Sequence, residues 1–119
     1  MYEQDYIIRL VKNLVKFVLK AFLKKEEAKY EYTDEENLSQ TDLLHRRILD
    51  LISQGKINEA ENLLFEEIDP NNIKYLELAI DFYNRINEME DEFLEENNFS
   101  RKEVEEGLKD VLKEFGINM

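Results

Sequence analysis

A chain of 119 residues, 43% hydrophobic and 37% charged, is a folding sequence of single-domain length, too short for two independent cores. Its formal charge of −12 disfavours nucleic acid as a ligand of the folded body, and the absence of cysteine excludes disulfides, thiolate catalysis and cysteine-ligated zinc. Three glycines and one proline point to long helices with short connections, and a reducing cytoplasm is the expected compartment.

The charge is unevenly placed. Residues 1–25 carry six basic side chains (Arg9, Lys12, Lys16, Lys20, Lys24 and Lys25) against Glu3 and Asp5, so this segment is at +4 and the remaining 94 residues are at −16. Its spacing predicts a long amphipathic helix over 1–29. Ile7, Val11, Leu14, Val18 and Phe22 fall on one side, and Asp5, Arg9, Lys12, Lys16 and Lys20 on the other. The apolar arc is wide, about 200° at a helical rotation per residue. Apolar runs in the helix reach only three residues before a lysine intervenes, so no membrane span is expected. Acidic residues near the start and the lack of a small-residue cleavage site argue against a signal peptide.

An acidic connector over 30–38 separates this helix from the next. Ser39 and Asp42 form a capping-box pattern that starts a helix carrying Leu44, Ile48, Leu51 and Ile52, and Gly55 ends it. Asn58, with Glu61 three residues on, is the expected cap of a shorter helix whose inner face holds Ala60, Leu63, Leu64 and Ile68. These two helices make a hairpin over 39–68. Asp69-Pro70 reads as a cap followed by a first-turn proline, opening a helix that continues to about Glu96. The last helix has the best-marked ends, a Ser100/Glu103 capping box and a left-handed stop at Gly116, with Ile117 closing on Leu112. It completes a second hairpin over 69–116. No bounded run alternates strictly, so the expected fold is all-α. About five helices form one domain over 1–119, with two antiparallel hairpins packed on the first helix.

The segment GKINEAENLLFEEIDPNN, with Gly55, Ile57, Ala60 and Asp69-Pro70, resembles the second half of a tetratricopeptide repeat. Residues 41–72 therefore look like a single degenerate helical hairpin of that type. No second copy follows, and such solenoids need about three repeats to bury a continuous core, so a peptide-binding repeat groove is not implied. Across the chain, MYEQDYIIRLVK, GKINEAENLLFE and DEFLEENNFSRKEVEEGLKD resemble a domain-of-unknown-function family of small acidic helical bacterial proteins. That resemblance implies a bacterial, cytoplasmic, single-domain protein and brings no activity with it.

Little chemistry is written in the residues. His45 is the only histidine, and beside Arg46 and Arg47 it reads as a surface residue. Asp42 and His45 share a helix face, but a helical carboxylate metal site needs a second histidine. Adjacent acidic pairs such as Glu66-Glu67 point about 100° apart on a helix and do not converge as a catalytic dyad. The glycines, at 55, 107 and 116, form no phosphate loop, and Ser39 and Ser100 are explained as caps. No catalytic, cofactor-binding or metal-binding residue is assigned, and the chain is not expected to be an enzyme.

What remains is interaction. The apolar side of the first helix cannot be stable in water alone and has three candidate coverings: the hairpins of the same chain, a dimer seam, or an anionic membrane surface. The candidate interaction surface is Ile7, Val11, Leu14, Val18 and Phe22, joined by Tyr75 and Phe82, since the aromatics of IKYLELAIDFYNRI cannot all face inward. The leading expectation is a non-enzymatic cytoplasmic module for protein–protein interaction or self-association, its partner a protein or a second copy. The alternative is a peripheral membrane protein using the basic helix 1–25.

Overall fold

The computed structural model describes residues 2–118, with side chains from Gln4 onward. Met1, Met119 and the side chains of Tyr2 and Glu3, the last counted in the charge of the opening segment, lie outside it. Six α-helices follow in order: α1 Tyr2–Val18, α2 Gln40–Ser53, α3 Ile57–Glu67, α4 Ile73–Asn87, α5 Asp91–Glu96 and α6 Arg101–Glu114. A π-helical turn, Leu19–Leu23, continues α1. No strand occurs among the described residues, and the fold is all-α as the periodicity requires.

The organising helix is α4, not α1. Leu76, Leu78, Ala79, Ile80, Phe82, Tyr83 and Ile86 are all buried, because α4 is packed by α1, α2 and α6 together. The first helix lies on α4 and α6, the second hairpin, rather than across both hairpins; α2 packs on α3 and reaches the centre through α4. Ile7, Val11, Leu14, Val15, Val18 and Leu19 face this core. Burying six such side chains contributes on the order of 9–18 kcal/mol, which covers most of the apolar side of α1 from within the chain.

Four helix ends differ from expectation, and each difference has an identifiable cause. The first helix does not reach Lys29: the π turn ends at Lys24, which adopts a left-handed φ of 55°, and the Lys25 amide donates to Leu19 O at 3.1 Å. Asp69-Pro70 sits in a turn closed by Asn72 N–H donating to Asp69 O, and Asn72 caps α4, its Oδ1 accepting from the Lys74 amide at 3.0 Å. The helix expected to run to Glu96 breaks after Asn87 because a side chain from α6 holds the turn. Arg101 donates to Asn87 O at 2.8 Å, to Met89 O at 2.5 Å and to Asp91 Oδ1 at 2.9 Å.

Asn58 is not the cap of α3, which starts at Ile57. Its amide instead donates to Asn98 O at 3.2 Å, tying α3 to the α5–α6 turn. The capping boxes at Ser39/Asp42 and Ser100/Glu103 both form, and Ile117 N–H donates to Leu112 O at 2.8 Å past Gly116, whose φ is +76°.

Candidate functional site

The residues expected to form an interaction surface are divided by the fold. Ile7, Val11, Leu14 and Val18 are in the core, so the stripe with dimer-like spacing is already covered by α4 and α6. Phe82 is 1% exposed and Tyr75 is half-buried, so the aromatics of α4 face inward where one was expected outside. Phe22 alone stays open, at 42% exposure.

Phe22 is open because of the π turn. In a continuing α-helix, residues five apart stand about 140° from each other, which would carry Phe22 towards the core side and away from Phe17. A π-helical turn instead stacks positions i and i+5. The Phe17 and Phe22 rings meet edge to face with centroids 6.0 Å apart, and both remain outside, Phe17 at 45% exposure. Arg9, Lys12, Lys16, Lys20 and Lys24 are exposed around and along this face. None of them belongs to an ion pair among the described residues, whereas Lys25, Lys74, Arg85, Arg101, Lys102 and Lys109 all do. The outward side of α1 is therefore rich in basic side chains, with the Phe17–Phe22 pair among them; Asp5 is exposed on it too, and Glu26 and Glu27 line a recess with Lys12 and Lys16.

A second constellation was not legible as such. His45 is 3% exposed, so its reading as a surface histidine is overturned. Its Nε2 lies 2.6 Å from Asp81 Oδ2 on α4, and the Tyr32 hydroxyl lies 2.7 Å from Nδ1. A carboxylate can only accept, so Nε2 carries the shared proton. Asp81 also accepts from Arg85 Nε at 2.9 Å. Tyr30 stacks on the imidazole, centroids 4.6 Å apart, and donates to Asp42 Oδ1 at 2.5 Å.

Around these rings the acidic connector is a strap. The Glu31 amide donates to Glu77 Oε2 at 2.8 Å, and Lys74 Nζ donates to Glu31 O at 2.6 Å. Burial and the bond to Asp42 push the Tyr30 hydroxyl up to about 12. Burial works against ionisation of Asp42 and Asp81 too, but hydrogen bonds from Tyr30 and Ser39 to the first, and from His45 and Arg85 to the second, outweigh it and hold both carboxyls below their ordinary values. The signal in the sequence was a carboxylate set inside the apolar run LAIDFY, opposite the single histidine.

A tyrosine–histidine–aspartate chain is chemically capable of proton transfer, but here the Tyr32 hydroxyl, both imidazole nitrogens and Asp81 Oδ2 are engaged with one another, and His45 and Asp81 are buried. An open recess of about 430 Å³ between α1 and the α4–α5 turn includes Ile8, Lys12 and Arg101 in its lining, and the guanidinium nitrogens Nε, Nη1 and Nη2 of Arg101 all donate to the chain itself. Among the described residues no group of three or more histidine and carboxylate side chains is arranged to hold a metal ion, and no helix is long and apolar enough to cross a membrane.

Fold and surface together define a small helical bundle, strapped internally by a buried polar chain and carrying a basic, aromatic-tipped helix on its outside. The chain belongs to a family of unknown function, DUF6483, whose pattern covers residues 1–116. No curated protein and no solved structure is significantly similar to it.

Proposed function

We propose that this protein is a non-enzymatic interaction module of the cytoplasm, whose working surface is the outward side of α1. One observation carries the reading: the π turn sets Phe22 beside Phe17 in solvent, near basic side chains that make no ion pair among the described residues. Single exposed apolar residues need no explanation, but a paired one created by an irregular helical turn does, since π turns occur frequently at functional sites. The closed state of the His45 chain supports a structural role for it rather than catalysis. The α2–α3 hairpin, with Ala60 fully buried and Gly55 in the turn at φ +77°, fits a repeat-style scaffold.

The test is site-specific photo-crosslinking. A benzoylphenylalanine at position 17, illuminated in the cell that makes the protein, is expected to give an adduct that the same group at position 66 on α3 does not. Equal labelling at both positions, or none at either, refutes the reading. Light scattering of the purified chain separates adducts between copies from adducts with another molecule.

A further inference from the structure

We infer that the occupant of this surface is an anionic lipid bilayer, on which α1 lies with its basic strip at the level of the phosphates and the Phe17–Phe22 pair in the headgroup boundary. The inference rests on the reading of α1 as the working surface. Charge selects an anionic occupant, because Arg9, Lys12, Lys16, Lys20 and Lys24 are exposed and unpaired among the described residues.

Composition then selects lipid over protein. The centres of protein interfaces are depleted in lysine, whereas lysine with phenylalanine is the make-up of helices that lie in a bilayer interface. The π turn completes the wedge, since it sets the Phe22 ring outside beside Phe17, between the lysines of the strip.

The net charge of −12 does not forbid this. The core side of α1 rests on α4 and α6, and the acidic residues nearest the strip lie along its flank, where Glu26, Glu27, Glu88 and Glu90 share recesses with Lys12. The molecule measures 44 × 32 × 23 Å, so even its shortest extent exceeds two screening lengths of about 8–10 Å at physiological salt. A bilayer in contact with α1 senses the lysines first. The apolar core stays closed on docking, because Val11 and Val18 remain against α4 and α6.

The experiment is vesicle flotation of the full chain, with phosphatidylcholine vesicles against vesicles half phosphatidylglycerol, at low and high salt. The protein has no tryptophan, so Phe17→Trp supplies a single fluorescent reporter at the wedge. The expected result is flotation with anionic vesicles at low salt, loss at high salt, no flotation with neutral vesicles, and a blue shift of the reporter's emission on binding. Each neutralised lysine lowers partitioning about fivefold, so Lys16→Gln with Lys20→Gln lowers it about 25-fold. Phe17→Ser with Phe22→Ser abolishes the insertion at no expense to the core, and circular dichroism verifies the fold.

Absence of flotation and of a blue shift at low salt overturns the inference, as does binding indifferent to both double variants. A dimer that the phenylalanine variant dissociates, with vesicles ignored, overturns the lipid but leaves the working surface standing. Failure of the position-17 crosslink removes the surface itself.

Discussion

The Tyr83 hydroxyl donates a 2.6 Å hydrogen bond to Glu61 Oε2, joining α4 to α3 beneath Gly107 of α6. A Cβ at position 107 would overlap both the carboxylate oxygen and the hydroxyl, which explains a glycine in the middle of a helix. Elsewhere in a helix, glycine to alanine gains about 1 kcal/mol. Here Gly107→Ala is expected to lose about 1–3 kcal/mol by overpacking, read as a lower urea midpoint.

The Glu61 carboxyl is pushed up by burial, with Glu103 and Asp110 adding to the effect, although the Tyr83 bond pulls the other way. A carboxyl raised in the folded state destabilises it above that raised value, and the penalty vanishes as pH falls below the unfolded value. Glu61→Gln, which retains an acceptor for Tyr83, is therefore expected to raise the melting temperature at pH 7 by more than at pH 4.

Asp42 and Asp81 have the opposite sign. Both are held below the ordinary carboxylate range, so their contribution is complete above about pH 4 and is lost as pH falls through their lower folded-state values. Denaturation midpoints measured from pH 7 down to pH 2 are expected to hold and then drop, and Asp42→Asn is expected to flatten the drop.

His45→Ala would leave Asp81 and the Tyr32 hydroxyl without a shared partner in a buried setting, at a cost of about 2–4 kcal/mol. Tyr32→Phe removes one bond and is expected to cost about 1 kcal/mol. Hydrogen exchange gives the sharper readout: the Glu31 amide, bonded to Glu77, is expected to lose protection in either variant while amides in α6 keep theirs.

Arg101→Lys retains the charge but not the fork that serves Asn87 O, Met89 O and Asp91 at once. A loss of about 2–3 kcal/mol is expected in chemical denaturation, on the scale of hydrogen bonds to a buried charged group.

The helices were legible where their determinants are local. Ser39 with Asp42, Ser100 with Glu103, and Gly116 with Ile117 act within a few residues, and each forms as the sequence implies. The break after Asn87 was not legible because its cause, Arg101, comes fourteen residues later and from another helix. His45 was misread for the same reason, since its partners Tyr32 and Asp81 are 13 and 36 residues away. Phe22 was assigned to the core side because periodicity assumes an unbroken α-helix, and one π turn changes the phase of everything after it. The basic strip needed only spacing to be seen; that its lysines form no ion pair among the described residues needed the fold.

The packing of α1 on α4 and α6 also sets an order of events during synthesis. At about 5–20 residues per second, the first helix that will cover its apolar stripe, α4, begins roughly seventy residues and some 4–14 seconds after α1 does, and α6 follows later still. Through that interval Val11, Leu14 and Val18 have no cover from their own chain. The nascent protein, unlike the finished one, offers its widest greasy face first, and a chaperone or a bilayer near the ribosome meets that face before α6 exists.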